Sequence, residues 1–110
     1  MRFLLYTTGD NTQPSAPPSQ EMIEEVGKFT EETKRAGILL ATGGLGATTT
    51  RVRNTGGKLT VTDGPFTETK ELTGGFALVE VKSREEAIEW AKRFRRIVGD
   101  GDSLVQEVFD

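Results

Sequence analysis

The alternation of apolar and polar side chains predicts strands at both ends and in the middle of the chain. In the first of them Phe3 and Leu5 fall on one face while Leu4 and Tyr6 fall on the other. Apolar residues on both faces are typical of a central strand that is covered on both sides. Strands are predicted at residues 2–7, 38–41, 48–53, 58–61, 74–82 and 103–109.

Two helices are predicted from apolar residues at helical spacing and from the residues that flank them. Ser19 and Ser83 are in N-cap positions, and the helices end near Gly37 and Gly99. The apolar stripe of the first helix is Met22, Val26, Phe29 and Thr33, and that of the second is Ala87, Ile88, Ala91, Phe94 and Val98. Trp90 is assigned to the core beside this second stripe, and stacking on a ligand is the alternative.

A β-hairpin is predicted within residues 48–63, with residues 54–57 as its turn and Arg53 opposite Lys58. In this register one face of the hairpin is apolar, and the alternation extends that face to Asp63. We therefore expect the Asp63 carboxylate to lie on a half-buried surface, where it loses hydration. The apolar face carries Leu59 and Val61, and the wet face carries Arg51, Arg53 and Lys58.

The residues from Gly43 to Gly46 include three glycines and interrupt the strand predicted at residues 38–41. We interpret them as a bend or bulge in a twisted sheet, with close approach of a ligand to the backbone as the alternative. A phosphate-binding loop is not predicted, because neither G-x-G-x-x-G nor a following G-K-[ST] is present.

The order of the predicted elements is βαβ, hairpin insertion, βαβ, which indicates an α+β fold of the ferredoxin-like kind. Such a sandwich has a mainly antiparallel sheet with two helices on one face. The other face of the sheet needs cover, and a second copy of the chain would supply it, so a homodimer is expected. A length of 110 residues fits one domain, residues 1–110.

The amino-acid composition argues against several classes of function, because the residues or charge that they need are missing. A net charge of −3 gives no electrostatic footprint for direct nucleic-acid binding, and no apolar run is long enough for a membrane span. With no histidine and no cysteine, a metal site, a cofactor and thiol chemistry are not expected. The missing targeting signals favour a cytoplasmic location.

The turn after the hairpin is the strongest candidate for a functional site. Aspartate in a turn usually accepts a hydrogen bond from the N–H two residues on, and Pro65 has none to give to Asp63. Gly64 lets the chain turn sharply and aim the carboxylate. Asp63 must then bond to the N–H of Phe66 or of the next residue, or to a group outside the turn. A well-made turn without further function is the alternative.

Neighbouring side chains could complete proton-transfer chemistry. Asp63 is the candidate acid or base, while Tyr6 and Lys70 could stabilise charge that develops on a substrate oxygen. Glu68 and Arg51 are candidate substrate-binding residues, the arginine for a carboxylate, together with Gly64, Pro65 and Phe66 of the turn. The alternative is a solvated run of charged side chains whose exposed ion pairs contribute little to stability.

D-G-P-F followed by T-E-T-K-E resembles the signature of the DGPF, or YCII-related, domain family of small bacterial proteins. The resemblance extends to R-F-L-L-Y, A-G-I-L-L-A-T-G-G-L, G-G-F-A-L and E-E-A-I-E-W, and so covers nearly the whole chain. It implies a ferredoxin-like domain that dimerises through its sheets in the manner of a dimeric α/β barrel. Some members have a histidine proposed to act with an aspartate, and this chain has none, so that mechanism does not transfer.

Three classes of function remain open. The first is a small enzyme without organic cofactor, a lyase, isomerase or hydrolase that uses Asp63 on an unknown small molecule. The second is a ligand-binding or regulatory module, since the resemblance implies relatives attached to sigma factors of the extracytoplasmic-function type. The third is a structural dimer that binds a partner protein through an exposed apolar patch.

Overall fold

The computed structural model describes residues 1–9, 19–46, 48–64 and 71–109. The described part of the chain forms six strands and two helices in the predicted order. The elements are β1 (Arg2–Gly9), α1 (Gln20–Arg35), β2 (Leu39–Leu45), β3 (Thr50–Thr55), β4 (Lys58–Asp63), β5 (Glu71–Glu80), α2 (Arg84–Val98) and β6 (Asp102–Val108).

Four of the strands form an antiparallel sheet in the order β2-β5-β1-β6. With the hairpin set aside, this is the strand order of two interleaved βαβ units, so the α+β, ferredoxin-like prediction is confirmed for the single chain. Strands β3 and β4 pair with each other in a separate two-stranded sheet.

The core lies between one face of the sheet and α2. Phe3 of β1 is directly opposite Val79 of β5, and each side chain is 2% exposed. Ile38, Val81 and Ala87 complete the buried cluster. The alternation predicted for β1 and β5 is confirmed, because the residues between these positions face the other side of the sheet.

Both helices begin where the sequence predicts. The hydroxyl oxygens of Ser19 and Ser83 each accept a hydrogen bond from a backbone N–H of the first turn, at 3.1 Å, and so satisfy one otherwise unpaired donor. Gly37 and Gly99 follow the helix ends with φ of +74° and +88°, a conformation that favours glycine. Neither helix of the described residues combines the length and the apolar character needed to cross a membrane.

Strand β2 continues through Gly43 and Gly44 and ends at Leu45, just before Gly46, so the predicted interruption at the first two glycines is wrong. Its pairing with β5 skips Leu40, which forms a bulge: Leu39 is opposite Val79 and Ala41 is opposite Leu78. The glycines serve close strand approach instead. A Cβ added at Gly75 would lie 2.9 Å from the carbonyl oxygen of Gly43.

This close approach predicts that alanine substitutions at two glycines have opposite effects on stability. Gly75→Ala should destabilise the fold by about 1–3 kcal/mol, because the methyl group would push β2 and β5 apart. Gly27→Ala should stabilise it by about 0.5–1 kcal/mol, because Gly27 is inside α1 with open space around it. Urea unfolding of both variants at one protein concentration tests the pair, and equal midpoints would contradict the packing argument.

The hairpin differs from its predicted register by two residues. Thr55 is opposite Lys58, and the turn consists of Gly56 and Gly57 alone, with φ of +57° and +86°. Two positive φ values suit a two-residue hairpin turn, and a pair of glycines takes them at low cost. A shift of two preserves the faces, so the apolar side is as predicted, with Val52 opposite Val61 and Asp63 at its end.

The face of the four-stranded sheet away from the helices carries apolar side chains from its central strands. Tyr6 is opposite Phe76, and Leu4 is opposite Leu78. Leu104 of β6 lies opposite Tyr6 on the same face and is exposed. We call this surface the open sheet face.

Candidate functional site

A cavity of about 720 Å³ lies between the two helices and the covered face of the sheet. This volume is within the range of small-molecule sites. Much of its wall is aromatic, with Phe29 from α1 and Trp90 and Phe94 from α2. Aliphatic and small residues complete it, among them Met22, Val26, Leu5, Ala77 and Val79.

Threonine hydroxyls supply polar groups in this apolar wall. Thr30 donates its hydroxyl to the carbonyl oxygen of Val26 at 2.9 Å, and Thr33 donates to the carbonyl oxygen of Thr30 at 2.8 Å. Thr42 of β2 donates to the carbonyl oxygen of Phe76 at 2.8 Å. Because these hydroxyl protons are committed to the backbone, the oxygens present their lone pairs as acceptors. The cavity therefore suits a ligand that donates.

Arg93 of α2 joins the two helices next to the aromatic rings of the cavity wall. Its guanidinium pairs with Glu32 of α1 and lies over the rings of Phe29 and Trp90, at 5.3 and 4.8 Å from the ring centroids. Phe29 and Trp90 also meet edge to face, with centroids 5.8 Å apart. Trp90 thus packs as predicted and also lines the cavity.

Arg95 forms the rim of the cavity at the end of α2. Its guanidinium donates to the carbonyl oxygens of Gly99, Asp100 and Asp102 at 3.0–3.3 Å and to the hydroxyl of Ser103. This guanidinium holds the turn into β6. Its donors are engaged there, so an anionic ligand gains little from it.

Asp63 does not line the cavity. One carboxylate oxygen, Oδ1, accepts a hydrogen bond from the hydroxyl of Thr50 at 2.8 Å. The side chain is exposed, so the expectation of a half-buried surface is wrong for the single chain. The reason is the hairpin, whose strands pair with each other and leave their apolar face uncovered.

Tyr6 is the one predicted site residue in the described part of the chain that lines the cavity. Its hydroxyl nevertheless donates to the side-chain oxygen of Gln106 at 2.9 Å. By strand alternation that bond lies on the open sheet face. Tyr6 and Asp63 share no hydrogen bond among the described residues.

The other predicted residues divide into two groups. Arg51 is half-buried on the hairpin face opposite Asp63, and the N–H of Gly64 donates to the carbonyl oxygen of Thr49 at 2.6 Å. Arg51 and Asp63 therefore approach a ligand from different sides. Pro65, Phe66, Glu68 and Lys70 lie outside the described residues.

The residues of the cavity were mostly assigned to the core by the sequence. The available signal was the pair Thr30 and Thr33, two hydroxyl residues on the side of α1 that carries Val26 and Phe29. Thr42 gave no such signal, because its place in the cavity depends on the bulge at Leu40.

Comparison with known proteins identifies similar solved structures and one family. One of these structures is 5-chloro-2-hydroxyhydroquinone dehydrochlorinase (TftG) from Burkholderia phenoliruptrix AC1100, in complex with 2,5-dihydroxybenzoquinone. It has 17% sequence identity and a TM-score of 0.51, and the match covers 99% of this chain and 94% of that one. At this identity the likeness concerns the fold. No curated protein sequence matches the chain.

The family comparison agrees with the motif in the sequence. The family model described as the YCII-related domain matches residues 1–104, nearly the full length. The strand order and the two helices are consistent with that assignment. This chain belongs to the YCII-related domain family.

Proposed function

We propose that this protein binds a small, mainly apolar ring compound in the cavity between its helices and its sheet. The observation that carries the proposal is a cavity of about 720 Å³ with the rings of Phe29, Trp90 and Phe94 in its wall. The faces and edges of these rings favour binding of an aromatic or quinone-like ligand over a flexible aliphatic ligand.

The polar groups define which ring compound fits best. The hydroxyl oxygens of Thr30, Thr33 and Thr42 accept, since their protons are engaged by backbone carbonyl oxygens. A ligand with an O–H or N–H donor satisfies them, whereas a carboxylate does not. That the similar dehydrochlorinase structure is a complex with 2,5-dihydroxybenzoquinone supports a test with hydroxylated rings.

Thermal denaturation with small phenols tests this function. Phenol or hydroquinone at a hundred times its Kd should stabilise the fold by about 2.7 kcal/mol and raise Tm by about 10 °C. Anisole, which has a ring and no O–H donor, should bind about fivefold more weakly, because one hydrogen bond is lost.

A cavity-filling variant supplies the control. Ala77→Phe places a ring inside the cavity and should abolish the ligand-induced rise in Tm, whereas Thr62→Phe on the exposed hairpin should retain it. A rise that survives Ala77→Phe, or no rise with any phenol at millimolar concentration, would place ligand binding elsewhere or exclude it.

We also propose that the protein is a homodimer joined through the open sheet face. Leu4, Phe76 and Leu78 of the two central strands and the exposed Leu104 give that face an apolar centre. A sheet covered by helices on one side buries its other side most simply against an identical sheet, as in a dimeric α/β barrel.

A catalytic role for Asp63 is the second candidate function. The hydroxyl of Thr50 orients Oδ1, and among the described residues Oδ2 has no hydrogen-bond partner, so it could exchange a proton with a substrate. Tyr6, Lys70 and the substrate-binding residues of the turn are proposed to assist it. Turnover of a small molecule that stops in Asp63→Asn while phenol binding in the cavity is retained would establish an enzyme, and binding without turnover of any compound would indicate a ligand-binding module.

A further inference from the structure

The β3–β4 hairpin exposes an apolar face that no other described part of the chain covers. Val52, Leu59 and Val61 share this face and are 67%, 68% and 70% exposed. An isolated two-stranded hairpin is at best marginally stable in water, and it needs a packing partner to be a fixed element. Three large apolar side chains on one side indicate that such a partner exists.

We propose that the hairpin is a docking arm whose apolar face packs on a second copy of the chain and places Asp63 in the interface between the copies. The inference rests on the proposed homodimer and adds a second contact to it. In the single chain Asp63 ends the same face as Val61. Whatever covers that face therefore also removes water from the carboxylate.

Charge favours the body of another copy over its hairpin as the docking partner. Residues 48–64 contain three basic side chains and one acidic one, a formal charge of +2. Because the whole chain carries −3, the remainder carries −5. The three basic side chains lie on the wet face rather than in the proposed contact, so their charge acts over a distance. It attracts the hairpin of one copy to the body of the other, whereas two hairpins repel each other.

Two glutamate substitutions in neighbouring positions test the proposal. Val61→Glu and Thr60→Glu change the charge equally but lie on opposite faces of β4. Val61→Glu should raise the Kd of the dimer about a hundredfold, since it acts once in each copy. Thr60→Glu should leave Kd within about twofold. Analytical ultracentrifugation measures both constants, and circular dichroism checks that each variant folds.

Thiol labelling supplies a measurement that leaves the charge unchanged. The chain has no cysteine, so Val61→Cys and Thr60→Cys each carry a single reactive thiol. Above the dimer Kd, the Val61→Cys thiol should react at least tenfold more slowly than the Thr60→Cys thiol. Upon dilution below Kd the two rates should converge, because the partner has left.

The outcomes separate the arm from the proposals on which it depends. A wild-type chain that stays monomeric at the highest concentration overturns both the homodimer and the arm. A dimer in which Val61→Glu and Thr60→Glu have equal Kd, or in which the two thiols react equally fast, overturns the arm alone. If the Val61→Cys thiol is protected to the same extent at all protein concentrations, residues of the same chain cover the apolar face of the hairpin. That result would also overturn the proposed arm.

Discussion

Glutamate in place of Leu78 should convert the dimer into folded monomers. Leu78 lies on a central strand of the open sheet face, opposite Leu4 on one side and Ala41 on the other. A charge there loses hydration in the interface, and the apolar contact of the leucine is lost as well, in both copies. We expect Kd to rise by at least about a thousandfold.

Ile23→Glu is the matched control for this substitution. Ile23 is an exposed branched residue on α1, away from the open sheet face, so its variant should retain the wild-type Kd. Sedimentation equilibrium of both variants measures the difference. A Leu78→Glu protein that remains a dimer would exclude the open sheet face as the main interface.

Removal of the Phe3 ring should be the most destabilising single change in the core. Phe3 is 2% exposed and packs with Val79 in the central cluster. Phe3→Ala should lower the free energy of unfolding by about 3–5 kcal/mol, because it combines lost burial with a cavity. Such a loss is a large share of the stability of a small domain.

Phe109→Ala is the matched control, because it removes the same ring from an exposed position. Phe109 is 82% exposed, and Phe109→Ala should change the free energy of unfolding by less than about 0.5 kcal/mol. Guanidinium unfolding of the two variants at one protein concentration gives the comparison. Similar losses for both would mean that Phe109 is buried in the dimer, and this would assign the end of β6 to the interface.

The sequence was sufficient for the fold because its local signals agree. The serine caps, the positive-φ glycines after each helix and the period-two pattern of β1 and β5 all indicate the same arrangement, and the structure has it. The hairpin register was less certain, because Asn54 to Gly57 offers several turns and a shift of two residues keeps every side chain on its face. The turn distinguishes these registers here, because Gly56 and Gly57 both take positive φ and form a two-residue turn.

The site was harder to predict for a physical reason. A turn motif such as Asp63-Gly64-Pro65 is local and visible in the sequence, whereas a cavity arises from the distance between packed elements. Residues such as Phe29 and Trp90 have the spacing of ordinary core residues. Their contribution to a cavity depends on how closely α1 approaches the sheet, which periodicity does not encode.

The bulge at Leu40 determines on which face of the sheet the hydroxyl of Thr42 lies. With regular pairing from Leu39 onward, Thr42 would stand opposite Phe76 on the open sheet face; with the extra residue, it stands opposite Ala77 and faces the helices. Deletion of one residue at this point would move the hydroxyl of Thr42 from the helix side of the sheet to the open sheet face. Length variation in β2 could thus alter ligand choice and self-association together, without any change in the residues that perform either task.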